Sequence, residues 1–125
     1  MSTGPKIIHN IGTKNPKPKI KKIRINKNTG HFEIRYKRSY IIVAYNLRGR
    51  AFRIDEIAVE EKERGKGLGS ALVGIVEDIA EHLGIKYIVT STVMEGAYGF
   101  WEKLDYKQLQ DKTTDLAIYV KQLSN

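Results

Sequence analysis

The chain has 125 residues, 41% of them apolar, enough for one hydrophobic core and one domain. Lysine and arginine number 22 against 14 acids, a formal charge of +8, and there is no cysteine. A disulfide scaffold, a cysteine-ligated zinc or iron–sulfur centre and a thiol nucleophile are thereby excluded. The composition fits a reducing compartment. No apolar run approaches the roughly 18–20 residues of a membrane span, and Met1–Lys6 lacks a basic-then-apolar leader pattern. The chain reads as a soluble, unexported, cytoplasmic protein with no membrane attachment.

Charge is unevenly placed. Residues 1–54 carry 14 Lys/Arg and one acid, Glu33, for +13, whereas residues 55–125 carry 8 Lys/Arg and 13 acids, for −5. Such asymmetry marks either a surface for nucleic acid or an acidic partner or strands kept soluble by outward lysines and arginines.

Residues 1–19 hold all three prolines, Pro5, Pro16 and Pro18, and read as a basic extended arm. A single domain is expected over residues 20–125. Ile20, Ile23 and Ile25 alternate with Lys21, Lys22 and Arg24, and Asn26–Gly30 supplies turn chemistry. Phe32, Ile34 and Tyr36 alternate with polar residues as a half-buried strand, Tyr40–Tyr45 form a more apolar one, and Ala51–Val59 a fourth. The period then changes. Leu68, Ala71, Leu72, Ile75, Val76, Ile79, Ala80 and Leu83 fall at helical spacing, with Glu77, Asp78, Glu81 and His82 on the opposite side and Gly84 as the stop. Tyr87–Thr90 reads as a buried strand, Ala97–Leu104 as a short helix, and Tyr106–Leu109 and Leu116–Val120 as closing strands around a polar turn. The fold class is α/β (α+β): a mixed central sheet of six to seven strands with two main helices.

The chemistry concentrates in Ile57–Ser70. Gly65, Gly67 and Gly69 lie between a strand and an amphipathic helix, where glycine is costly unless the backbone approaches something closely. Consecutive N–H groups at a helix N-terminus cradle a phosphate or pyrophosphate, and Arg64 and Lys66 add charge to it. A Walker loop needs Ser or Thr after its lysine, but Lys66 precedes Gly67. A dinucleotide fingerprint starting at Gly65 needs glycine or alanine where Ser70 stands. The pattern that does match is Arg/Gln-x-x-Gly-x-Gly/Ala, with Arg64, Gly67 and Gly69 in register.

On these residues the sequence resembles the GNAT superfamily of acyl-CoA-dependent N-acetyltransferases. Asp55–Val59 followed by Arg64–Leu72 looks like that family's fourth strand, pyrophosphate loop and third helix. Tyr98-Gly-Phe-Trp-Glu-Lys-Leu-Asp-Tyr106 is similar to its second motif, Ala-x-x-Phe-Tyr-Glu-Lys-Leu-Gly-Phe. The resemblance covers residues 51–121 well and residues 20–50 only by strand order.

The resemblance implies a GNAT-like fold and acetyl-CoA as cosubstrate, with no metal. It places the pantetheine arm along the backbone of Ile57, Ala58 and Val59, and the pyrophosphate on the N–H groups of Arg64, Gly65, Lys66, Gly67, Leu68, Gly69 and Ser70. An amine attacks the thioester with a carboxylate or water chain as base, and backbone N–H near Ile57 steadies the oxyanion. Asp55 is favoured as base, with Glu56 second. Adjacent strand residues point to opposite faces, so only one of them should face the substrate, and pairing with Arg35, Lys37 and Arg38 competes for both. Glu60, Glu61 and Glu63 read as a solvated loop. Trp101 replaces the family's frequent tyrosine acid and cannot donate to a thiolate; Tyr98, one turn earlier, is the substitute, against a packing role. Asp105 replaces a glycine, and Met94 a frequent asparagine. The family's two helices after the first strand have no counterpart, because only Asn26–Gly30 is available. The acceptor side should be open, suiting a protein lysine or N-terminus better than a small amine. The rival expectation is a weakly active or inactive relative that binds coenzyme A, or binds nucleic acid or an acidic partner through residues 1–54.

Overall fold

Alternating apolar and polar residues in the first half of the chain form a sheet whose buried set is Phe32, Ile34, Tyr36, Ile41, Val43, Tyr45, Phe52 and Ile54. The computed structural model describes residues 18–24, 27–110 and 117–123, without the side chains of 22–24 and 110. The expected arm thus lies outside the described residues save for Pro18 and Lys19, as does most of the polar turn before the last strand. The strands are β1 (Lys19–Arg24), β2 (Thr29–Tyr36), β3 (Ser39–Asn46), β4 (Ala51–Ala58), β5 (Tyr87–Thr90), β6 (Lys107–Gln110) and β7 (Ala117–Gln122). Helix α1 spans Leu68–His82 and α2 spans Tyr98–Lys103, with short 3-10 turns at Glu61–Glu63 and Glu95–Ala97. The expected strand–helix sequence is present. The 3-10 turns were unforeseen, and β2 starts at Thr29, inside the stretch read as a turn.

The seven strands lie in the order β1-β2-β3-β4-β5-β7-β6. β4 and β5 are parallel, and all other neighbours are antiparallel. β5 and β6 therefore run the same way, with β7 between them. The crossovers through α1 and α2 advance in one direction along the sheet, and connections of one hand then place both helices on one face. Side chains mark that face: Lys121 Nζ on β7 donates to Glu77 Oε2 of α1 at 3.2 Å, and Tyr119 on β7 donates to Glu102 Oε2 of α2 at 3.0 Å. Glu77, expected on the solvent side of α1, is half-buried and also accepts the Tyr106 hydroxyl at 2.8 Å.

The opposite face carries Tyr40, Ile42 and Ala44 of β3, half-buried, and Arg53 of β4, exposed. Among the described residues no helix covers it.

The buried face of α1 comprises Leu68, Leu72, Val73, Ile75, Val76, Ile79 and Ala80. Its end is a Schellman cap: Ile85 N–H donates to Ala80 O at 2.8 Å and Gly84 N–H to Glu81 O at 3.2 Å, with Gly84 at φ +72°. Leu83, expected in the core, lies beyond the last turn and is exposed. The same pair of bonds closes α2, where Asp105 adopts φ +68°. This is the conformational reason a glycine suits that position.

Candidate functional site

β4 and β5 are in register from Ala51 opposite Tyr87 to Ile54 opposite Thr90, and there the ladder stops. β4 runs on to Ala58 while the other chain turns away through Ser91, whose N–H donates to Ile54 O at 2.9 Å and whose hydroxyl donates to Asp55 O at 3.0 Å. Beyond that point the β5-side edge of Glu56–Ala58 has no strand to pair with among the described residues. The divergence opens a cleft of about 390 Å³ whose lining includes Ile54, Asp55, Glu56, Ile57, Thr92 and Trp101.

A β-bulge sits at the start of this cleft. Val43 pairs with Ile54 but Ile42 pairs with Glu56, which leaves Asp55 as the extra residue. Core-facing Ile54 and Ile57 are thus three residues apart rather than two, and the two acids between them are both exposed. The expectation that Asp55 and Glu56 point to opposite faces is corrected: both border the cleft. Their surroundings differ. Asp55 is in a salt bridge with Arg53, Nε to Oδ1 at 2.5 Å. Glu56 accepts a hydrogen bond from the Tyr40 hydroxyl, and among the described residues no cation reaches it. Neither acid pairs with Arg35, Lys37 or Arg38. The bond to Glu56, with burial adding to it, holds the Tyr40 phenol above its ordinary range.

The glycine loop follows directly. Gly65 and Gly67 have φ +78° and +80°, and a side chain added at either would meet open space. Gly69 differs: a Cβ there would approach Phe100 Cε1 to 3.1 Å, so its lack of a side chain lets α1 pack beside α2. Gly67 caps α1 and no side chain caps the helix, so the first-turn N–H groups of Leu68, Gly69 and Ser70 point out of its end. They face a second hollow, of about 550 Å³, bordered by Arg64, Gly65, Gly67, Phe100 and Lys103 among others.

Two of the loop residues do something other than expected. The N–H of Arg64 is committed to Glu61 O at 3.2 Å, and its Nε donates to Val59 O at 3.0 Å, so Arg64 braces the loop rather than offering a free backbone donor. Lys66 is turned toward solvent, 4.0 Å from Glu63. Nor is the acidic loop simply solvated. Glu60 and Glu63 are largely covered, Glu63 lies 3.7 Å from Lys37 Nζ, and Glu60 N–H donates to Ser39 Oγ at 2.8 Å. These contacts tie the loop to the β2–β3 turn.

Tyr98 lines neither hollow; its ring packs on Tyr119 with centroids 5.7 Å apart. Trp101 is buried against Phe100 and Tyr106. Sequence reasoning missed Tyr40, Thr92 and Lys103. The run of polar residues Thr90-Ser91-Thr92 after an apolar strand was the available signal for the second; nothing in the sequence links Tyr40 to Glu56.

A parallel strand pair that splays beside a glycine loop, with both crossover helices on one face, is the architecture of the GNAT acyl-CoA N-acyltransferase fold. A family model for the GNAT acetyltransferases matches residues 25–106, well over half of the chain, which therefore belongs to that family. No curated protein matches it in sequence. Solved structures share the fold. GCN5 from Tetrahymena is 15% identical, with 79% of this chain and 71% of that one covered and a TM-score of 0.63. The PaiA N-acetyltransferase of Thermoplasma acidophilum, in complex with coenzyme A, is 14% identical over 77% of this chain and 62% of that one, TM-score 0.62. A nourseothricin acetyltransferase is 19% identical over 77% of this chain, TM-score 0.60, and this chain spans 66% of its length.

Proposed function

We propose that this protein transfers an acetyl group from acetyl-CoA to an amine carried by a protein, a lysine side chain or an N-terminus, in the cytoplasm. The observation that carries the reading is the meeting, at one end of β4, of a strand edge, a glycine loop and a carboxylate that, among the described residues, are respectively unpaired, uncapped and free of cations.

The residues fit coenzyme A. The unpaired edge at Ile57 and Ala58 offers strand-like hydrogen bonds to the amides of a pantetheine arm. The positive-φ glycines and the N–H groups of Leu68, Gly69 and Ser70 suit a pyrophosphate, because Gly65 and Gly67 face open space, no side-chain hydrogen bond from the cap residue closes the helix, and its terminus adds partial positive charge. When bound, the thioester supplies the activated acyl carbon. Glu56 takes a proton from the incoming ammonium, directly or through water, so that nitrogen attacks as the neutral amine. With the thioester bound, the nitrogen would form its bond to the acyl carbon as the carbon–sulfur bond breaks. Its second proton would pass to the departing sulfur through water in the cleft, and Glu56 would return the first to solvent. Tyr98, in this reading, is a packing residue, and Asp55 stays with Arg53.

A second reading rests on charge. Lys19, Lys21, Lys27, Arg38 and Arg48 are exposed and form no ion pair with described residues, which suits contact with a nucleic acid. Its mark is binding that falls steeply with salt.

The test is calorimetric titration of the protein with coenzyme A and acetyl-CoA, before and after Gly67→Glu. Wild type should bind each one-to-one. The variant forces a side chain into φ +80° and puts a negative charge in the cradle, so affinity should drop by about 100-fold or more while the fold survives a strain of about 1–2 kcal/mol. Wild type that ignores both ligands, or a variant that binds normally, overturns the assignment.

A further inference from the structure

Three acids project from the uncovered face near the cleft, and they are treated differently. Glu33 Oε2 takes Arg35 Nε at 2.7 Å, and Asp55 takes Arg53 at 2.5 Å. Glu56, among the described residues, receives the hydroxyl of Tyr40 and no cation. A guanidinium would neutralise the carboxylate, whereas a phenol fixes its orientation and leaves its charge for something else. The phenol is itself held in place. Tyr40 pairs with Arg35 on one side and Ala58 on the other, so it is the diagonal neighbour of Glu56 across β3–β4. The Arg35 guanidinium lies over the Tyr40 ring, 4.9 Å from its centroid, and Glu33 holds Arg35 there. At the same end of β3, the Ser39 hydroxyl is taken by Glu60 N–H.

We propose that Tyr40, steadied by Arg35, is a positioning residue that aims the Glu56 carboxylate at the protonated amine of a cationic acceptor. The proposal rests on the transferase reading above. The phenol is a donor through the neutral range, as an ordinary tyrosine is, and its bond to the carboxylate raises its ionisation further. Glu56 thus performs two tasks in turn: it attracts the ammonium, then accepts its proton. A neutral hydroxyl or thiol acceptor gains nothing from the first.

Two analogues probe this without an identified acceptor: S-(2-aminoethyl)-coenzyme A, which carries an ammonium two carbons from the sulfur, and its uncharged isostere S-propyl-coenzyme A. Calorimetry at pH 7 compares them on wild type, Tyr40→Phe, Arg35→Met and Glu56→Gln. Wild type should prefer the amine by about tenfold, the worth of one charge-assisted contact. Glu56→Gln should abolish the preference. Tyr40→Phe should cut it about threefold or more and leave S-propyl-coenzyme A affinity unchanged, with Arg35→Met between the two. A preference untouched in Tyr40→Phe overturns the proposal. Equal weakening of both ligands in that variant assigns Tyr40 to structure and overturns it too. Wild type that binds both analogues alike removes Glu56 as the base but leaves the coenzyme site standing, and wild type that binds neither removes the transferase reading itself.

Discussion

A carboxylate that must take a proton from an ammonium works best with its charge uncommitted, and Asp55 and Glu56 differ on that point. Asp55 is locked to Arg53; Glu56 is oriented by a hydroxyl and borders the same cleft. The resemblance favoured Asp55 by its place in the family's fourth-strand motif, and a regular strand would show only one of the two neighbours to the substrate. The bulge that puts both on one face arises from the pairing of Ile42 with Glu56 and Val43 with Ile54, a property of two strands together that no single stretch reveals. Glu56→Gln should therefore lower kcat by about 10²–10⁴-fold, the usual worth of a positioned base. Asp55→Asn should cost no more than about threefold, since in the proposed mechanism Asp55 stays with Arg53 and Glu56 moves the proton. Steady-state thiol release with acetyl-CoA and a lysine peptide measures both; the reverse ranking would return the base to Asp55.

Between elements, the two helices are fastened to the sheet by buried phenols. Tyr106 reaches Glu77 of α1 and Tyr119 reaches Glu102 of α2. Burial and then the bond to Glu102 push the Tyr119 phenol up to about 12, and burial with Glu77 moves Tyr106 upward as well. A phenol whose ionisation is raised on folding stabilises the fold fully below the unfolded value near 10 and loses that contribution as pH climbs toward the folded value. Melting temperature should fall between pH 10 and 12, and Tyr119→Phe should be less steep in that window while melting lower at pH 8. Equal slopes for the two proteins would show that the Tyr119 bond carries no such linkage. The helices themselves were legible, because periodicity at Leu68–Ala80 and the Gly84 stop are local signals. Their fastening was not. Glu77 looked like a solvent-side residue because its partners, Tyr106 and Lys121, come from distant parts of the chain.

Over the whole molecule, strand order and the paired motifs made the fold and the family readable, and the glycine loop was legible as the uncapped start of α1. The short link between the first two strands matches a sheet face that no helix among the described residues covers. Which face would be open followed only from topology: both crossovers advance from β4 toward β6, so both helices lie on the side of Tyr119 and Lys121. Under the proposed function, the uncovered face, running from β1 and β2 to the cleft, is a flat approach for the acceptor rather than an enclosing pocket. In that reading a small amine engages little beyond Glu56 and the thioester among the described groups. A polypeptide can spread over the strands, and binding energy from its remote parts can then hold the lysine in place. An acceptor peptide of about 15 residues should thus exceed a blocked single lysine in kcat/KM by about tenfold or more, with part of the gain in kcat because remote contacts orient the lysine. The comparison is one series of steady-state curves at saturating acetyl-CoA. A blocked lysine as good as every peptide would mean that the face contributes nothing to recognition, and the acceptor would be sought among small amines.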